Sequence, residues 1–384
     1  MALERRVLID RDTRGANDGT VRYELPRTGR CSALALGTRI TNGATNNITE
    51  TVFDAIDRVE VIADGSEVLM SLTGVELYKW NWLLHRRRPP YTRTSAASGV
   101  QELWLTIPFG RRLGDKELYL RFDDYRRLEL VITFSPTIAA TEFTTATTTF
   151  TVISYEWPEN MTGLARRGFI RITQVADFTT VAAGNEDVEM PRAHPHLAYL
   201  VHCREATIQD GVDITNLEVR EDSGVRVPYT GRWEDVQHEN MDTWDIECIE
   251  EGIGLLTDAD VLDTHQARLF QVSAELIEDT AAGDAAHPMA RVATITADRL
   301  AFSVVELDED AAHGVSALAT ADYTIHWSAK GIGIGNTAII PIGSWDDLDL
   351  VYDAPSKAKV ELRHVQAAAG GRTRVSVAEL VRAA

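Results

Sequence analysis

Residues 107–132 read IPFGRRLGDKELYLRFDDYRRLELVI, and residues 340–365 read IPIGSWDDLDLVYDAPSKAKVELRHV. Ile107-Pro108-Phe109-Gly110 answers Ile340-Pro341-Ile342-Gly343, Leu118-Tyr119-Leu120 with Asp123 answers Leu348-Asp349-Leu350 with Asp353, and Leu128-Glu129-Leu130 answers Val360-Glu361-Leu362. Upstream, Glu24-Leu25-Pro26-Arg27 has its counterpart in Glu189-Met190-Pro191-Arg192. Val59-Glu60-Val61, the turn at Asp64-Gly65 and Thr73-Gly74 are matched by Leu217-Glu218-Val219, Asp222-Ser223-Gly224 and Thr230-Gly231. Matches that keep their order along the chain point to two copies of one β-rich unit in tandem.

Length agrees, since 384 residues exceed one ordinary core and suffice for two. A formal charge of -20 argues against a surface built to neutralise nucleic-acid phosphates or to lie on anionic lipid. Three scattered cysteines, Cys31, Cys203 and Cys248, make neither a disulfide framework nor a zinc finger and read as buried thiols. The N-terminus carries charges where a signal peptide needs an apolar run, and no window approaches the roughly 18 apolar residues of a membrane span. Folding in cytoplasm without export is the expectation.

Residues 1–20 lack lasting periodicity and read as an N-terminal arm. From Val21, short runs rich in β-branched, aromatic and apolar residues predict strands near 33–40, 56–63, 67–72, 102–107, 117–122, 127–134 and 147–155, separated by turns such as Asn42-Gly43. The first unit spans 21–155, with 84–99 (LHRRRPPYTRTSAASG) as a long exposed loop. Residues 156–168 form a linker, because Pro158 and Gly168 interrupt both periodicities. The second unit spans 169–368. It departs from the first at Gly231, where 108 residues precede Ile340 against 32 between Gly74 and Ile107. The 76 extra residues define an acidic inserted decoration at about 235–325 with strands of its own. Residues 369–384 read as a C-terminal arm ending in one or two helical turns from Val377.

Several residues invite a chemical reading. His194-Pro195-His196, near His202 and Cys203, has the spacing that puts two imidazoles on one face of a strand. Duplicated cupins, however, follow HxH with Glu where Leu200 and Val201 stand here. Their second motif is echoed by Gly335, Pro341 and Gly343 with Asp346 at the ligand position. Polar loop histidines are the better account, and no metal site is assigned. Gly331-Ile332-Gly333-Ile334-Gly335 lacks the lysine and helix of a phosphate loop and reads as a turn. Asp123/Asp124 and Asp346/Asp347 recur in both copies and read as turn caps. Arg86-Arg87-Arg88 reads as a solvated loop or an intersubunit ion-pair donor, and Trp80 with Trp82 as one face of a strand, in a core or an interface. No catalytic, cofactor-binding or metal-binding residue is assigned.

All-β units of this size without immunoglobulin-type cysteine spacing fit a double jelly roll. On the "ELPR" openings, the paired strands around a Gly turn and the closing "IPFG … FDDYRRLELVI" pair, the sequence resembles the major capsid proteins of tailless icosahedral viruses. That lineage includes adenoviruses and membrane-containing bacteriophages, and the likeness covers approximately 21–155 and 169–366. The resemblance implies a non-enzymatic structural subunit of the virion, assembled in host cytoplasm. Homotrimers would form pseudo-hexagonal tiles, insertions would rise as towers, and terminal arms would reach an internal membrane or neighbouring capsomers. Its partners would be itself and minor capsid or vertex proteins, with no specific nucleic acid and no cofactor. The alternative is a two-domain β-sandwich that binds a receptor or carbohydrate, as a viral spike or lectin-like module does. A bicupin-type metal enzyme comes third.

Overall fold

The computed structural model describes residues 5–14, 18–44, 47, 50–139, 142–158, 161, 163–204, 211–246, 248–256, 261–263, 269–279, 287–296, 299–307, 315–316 and 323–383. In the first half these are β1 (Arg5–Thr13), β2 (Gly19–Glu24), β3 (Arg30–Thr41), β4 (Ile56–Ala63), β5 (Glu67–Leu72), α1 (Gly74–His85), β6 (Tyr91–Thr92), β7 (Val100–Pro108), β8 (Leu120–Arg121), β9 (Leu128–Phe134) and β10 (Thr149–Trp157). The second half begins with β11 (Gly168–Thr179), β12 (Gly184–Glu189), β13 (His196–Arg204), β14 (Ile214–Glu221), β15 (Arg226–Arg232) and α2 (Trp233–Trp244). The insertion adds β16 (Ile249–Leu256), β17 (Val261–Asp263), β18 (Leu269–Asp279), β19 (His287–Thr296), β20 (Arg299–Leu307), β21 (Val315–Ser316) and β22 (Tyr323–Gly331). The chain closes with β23 (Thr337–Pro341), β24 (Val360–Gln366) and β25 (Arg372–Arg382).

Strand order repeats. In the first half one sheet runs β1-β10-β3-β7, with β6 on its far edge, and a second contains β2-β9-β4-β5. In the second half the corresponding rows are β11-β25-β13-β23 and β12-β24-β14-β15. Each half thus interleaves strands from its two ends in two sheets, the jelly-roll order. The strands form where apolar residues alternate. In β4, Ile56, Val59, Val61 and Ala63 are buried while Asp57 is exposed, so one face meets the core and the other does not.

The registers repeat down to their irregularities. Ala33 stands opposite Pro108 as Ala198 stands opposite Pro341, which fixes the two Ile-Pro-x-Gly segments at equivalent places. Bulges lie between Leu8 and Asp10 in β1 and between Gln174 and Ala176 in β11. They recur between Ile56 and Arg58 in β4 and between Ile214 and Asn216 in β14. A bulge re-aims a strand and is a built feature of a fold, so matching bulges mark a duplicated unit.

Five sequence expectations are corrected. Within the expected N-terminal arm at 1–20, Arg5–Thr13 is no free arm, for β1 pairs with β10 along its length. The C-terminal helix and arm are β25, held between β11 and β13. Its residues Val375 to Leu380 are all buried, so the two-residue alternation is absent from the sequence and the run mimics a helix turn. Neither of these two strands is available as a free arm toward a membrane or a capsomer. Trp80 and Trp82 lie on α1, not on a strand. Its Thr73–Glu76 capping box closes the first turn, and nine of its twelve residues are buried. A helix buried on nearly every side, polar Glu76, Lys79 and Asn81 included, lacks the apolar stripe that would announce it. The 84–99 loop holds the end of α1 and β6, with Arg93 and Ser95 buried. In the predicted strand at 117–122, Leu120–Arg121 alone is strand, and the chain turns into a 3-10 helix at Phe122–Asp124. In addition, the likeness between the copies runs past Gly231, because α2 occupies in the second half the place of α1 in the first.

The two halves share one core. The larger apolar cluster joins Leu34, Leu72, Trp80 and Ile132 to Ile172, Leu200, Ile339 and Leu380, while a second fills the interior of the second half around Tyr199, Leu217 and Leu362. Contiguous burial of this kind is the main stabilising contribution in a chain of this size.

Candidate functional site

The candidate site is the joint where the two halves meet edge to edge. Strands β5 and β11 run parallel, with Met70 opposite Ile172 and Ser71 opposite Thr173, and so fuse two four-stranded sheets into one of eight. Met70 and Ile172 are buried at 2% and 1% exposure. Flanking backbone bonds lengthen the joint: Arg167 N–H donates to Glu117 O (2.7 Å), Tyr119 N–H to Gly168 O (3.0 Å) and Ile170 N–H to Phe109 O (2.8 Å). On its other side, β11 lies close against β25, and Gly168 makes that approach possible. Its φ is +150°, and a Cβ there would meet the Val381 carbonyl oxygen at 1.9 Å. From α1, Trp80 Nε1 donates to Ser376 Oγ at 2.9 Å, and the Trp80 ring lies 6.3 Å from that of Trp345. Arg111 reaches the Asp346 carbonyl (3.3 Å) and Arg167 pairs with Asp349. The joint does not bring catalytic groups together; it joins the two halves through one continuous sheet and one shared core.

An asparagine sits at the eighth position of both helices. Asn81 accepts from Thr106 N–H (2.5 Å) and donates to Thr106 O (2.7 Å); Asn240 accepts from Ile339 N–H (2.9 Å) and donates to Ile339 O (2.5 Å). Thr106 and Ile339 each precede the isoleucine of the Ile-Pro-x-Gly segments. One carboxamide offers the donor and acceptor that a neighbouring strand would offer, and so closes a sheet edge. Sequence reasoning missed this pair because it ended the repeat at Gly231. The signal was an Asn seven residues after Gly74 and nine after Gly231.

The chemically suggestive residues are dispersed. His194 precedes β13 and His196 begins it, so the two do not share a strand face. His196 is buried, its Nδ1 is 2.7 Å from Tyr199 Oη, and burial holds its pKa down to about 4. His202 faces Thr337 Oγ1 at 3.3 Å and is likewise pushed well down by burial. Leu200, Val201 and Cys203 are core residues. Among the described residues no group of three His, Cys, Asp or Glu side chains gathers as metal ligands would. Asp123 pairs with Arg121 and Asp124 with Arg166 (2.6 Å), whereas Asp347 Oδ1 caps a turn by accepting from Asp349 N–H (3.0 Å). In the 331–335 glycine run, Gly333 (φ +86°) lies against Gln237, whose Nε2 donates to Thr337 O (3.2 Å). Arg88 donates to the Glu251 carbonyl (2.5 Å), and Arg93 lies 5.6 Å from the Trp327 ring, so the first half's loop braces the insertion of the second. Glu379 in β25 is 1% exposed; burial pushes its carboxyl up to about 7, with Arg171 at 3.5 Å opposing.

One cavity, about 330 Å³, opens on the outer face of the β1-β10-β3-β7 sheet among Arg6, Leu8, Arg39, Glu102 and Trp104. The Trp104 ring lies flat across Gly37, where a Cβ would meet it at 2.8 Å.

No protein-family model and no curated protein matches the sequence. Solved structures match its fold along nearly its whole length. A crystal structure of the STIV MCP is 11% identical, with 99% of this chain and 95% of that chain covered at a TM-score of 0.56. The atomic structure of Sulfolobus Turreted Icosahedral Virus gives 10%, 99%, 90% and 0.57, and the PBCV-1 virus capsid gives 7%, 99%, 93% and 0.53. The fold is therefore an all-β double jelly roll with an elaborated insertion in its second barrel.

Proposed function

We propose that this chain is a viral major capsid protein, a structural subunit without catalysis or cofactor. The observation that carries this reading is the fusion of two barrels of one strand order, with matching bulges, through a buried parallel joint. Such a body has few open sheet edges and presents the same architecture twice, the requirement for filling a near-hexagonal lattice with few chains. Three copies would supply six barrels around a three-fold axis and tile an icosahedral shell in the virion, after assembly in host cytoplasm. Copies of the chain and neighbouring capsomers are then its main partners, with minor capsid or vertex proteins at the margins. The division into barrels at about 156–168, and the insertion as a tower, belong to this reading. The brace from Arg88 and Arg93 to the insertion supports a tower held by both barrels.

Electron microscopy of the concentrated purified protein tests the proposal. Pseudo-hexagonal particles with a central three-fold, or sheets and shells of them, are the expected result. Isolated two-lobed particles at all concentrations would contradict it.

A further inference from the structure

The joint inside the chain is head to tail: the fifth strand of one barrel meets the first strand of the next. Its two faces recur at the ends of the molecule. Among the described residues, the fifth strand of the second barrel, β15, pairs with β14 and leaves its other edge open, and the first strand of the first barrel, β1, pairs with β10 and leaves its other edge open. The exposed large apolar residues gather there. Of eight such residues among those described, Val7 (36%) and Leu8 (60%) lie on β1, Val227 (45%) lies on β15 and Val225 (80%) immediately precedes it. Open strand edges offer unpaired backbone groups to another chain.

Register follows from the internal repeat. Tyr229 faces Val219 as Met70 faces Val61, so Tyr229 and Thr230 are the counterparts of Met70 and Ser71, two residues out of step with the sequence match of Thr230-Gly231 to Thr73-Gly74. Arg6 faces Tyr155 and Ile172 faces Ala378, while Tyr155 and Ala378 face the equivalent residues Ala33 and Ala198. Arg6 and Val7 are thus the counterparts of Ile172 and Thr173. We infer that β15 of one chain pairs in parallel with β1 of a second copy, with Tyr229 opposite Arg6 and Thr230 opposite Val7. This deepens the capsid reading and rests on its trimer. Charge agrees with the register, because Tyr229 Oη is bonded to Glu239 (2.7 Å), which puts a carboxylate beside the incoming Arg6. A head-to-tail contact either closes into a ring or runs on as a filament. Three chains with three internal and three external joints leave none of these edges bare.

The full-length protein carrying both Val7→Cys and Thr230→Cys tests the register. Paired strands lie about 4.8 Å apart, within the reach of a disulfide, and the three native cysteines are buried. After mild oxidation, the expected result is conversion of most of the protein to covalently linked dimers and trimers on a non-reducing gel. The single variants, and Val7→Cys combined with Val227→Cys, stay uncrosslinked. Light scattering on the reduced protein separates two failures. A trimer that does not crosslink through these positions overturns the inferred joint and leaves the trimer standing. A monomer overturns both.

Discussion

Asn240→Ala is expected to be among the most costly single substitutions in the second barrel outside its apolar core. The carboxamide holds both the N–H and the C=O of Ile339, at 2.9 and 2.5 Å, at the edge of a sheet where α2 takes the place of a further strand. Asn240 and Ile339 are both buried. Each buried backbone group left unpaired costs roughly 1–3 kcal/mol, so the pair amounts to about 2–6 kcal/mol against a domain stability of about 5–15 kcal/mol. Urea unfolding followed through Trp233 and Trp244, which flank Asn240 on α2, reads the change as a lower midpoint with an unchanged slope. Asn240→Asp keeps the acceptor but sets a buried carboxylate oxygen against the Ile339 carbonyl, and should be at least as costly as Ala. His238→Ala, on the exposed side of the same helix, should stay within about 0.5 kcal/mol. If Asn240→Ala is no more costly than His238→Ala, the side chain is not closing the edge and the reasoning fails.

Three further outcomes follow from the same structure. Burial raises the Glu379 carboxyl to about 7 against 4.5. The folded state therefore binds its proton more tightly than the unfolded chain, and the resulting stability fades as pH rises from 4.5 through 7. Glu379→Gln should gain up to about 3 kcal/mol at pH 8 and little at pH 4; equal denaturation midpoints at pH 8 would contradict this. His196 and His364 are depressed by burial to about 4 against 6.5, so stability present above pH 6.5 is lost as pH falls toward 4. His364→Gln should flatten that acid slope by up to about 3 kcal/mol, and an unaltered slope would exclude the assignment. Gly168→Ala forces a Cβ onto the Val381 carbonyl at a positive φ and should cost about 3 kcal/mol, visible as a lower thermal midpoint; a wild-type midpoint would show that the β11–β25 pairing yields there.

What the sequence disclosed depended on whether one strand face stayed polar. The expected strands at 56–63 and 67–72 coincide with β4 and β5, where buried and less buried residues alternate. Burial on both faces erased that signal in β25, and all-round burial erased the helical one in α1. The strand β1 was hidden for the opposite reason: RRVLIDRDT is charged because its edge is open. The joint could not be read at all, since it pairs residues a hundred apart, Met70 with Ile172, and leaves no local pattern. The asparagine clamp was in view as a composition match, but its meaning needed the register that puts Thr106 and Ile339 at the same place. The HxH motif illustrates the converse. Its spacing is local and visible, while the strand start between its two histidines, which separates their directions, is not.

The central claim, that one chain supplies two sixths of a closed tile, is tested most directly by the mass of the purified protein in solution. Light scattering after size exclusion should give one stable species near three times the 42.5 kDa chain, persisting on dilution. A monomer that stays a monomer at high concentration would contradict the claim.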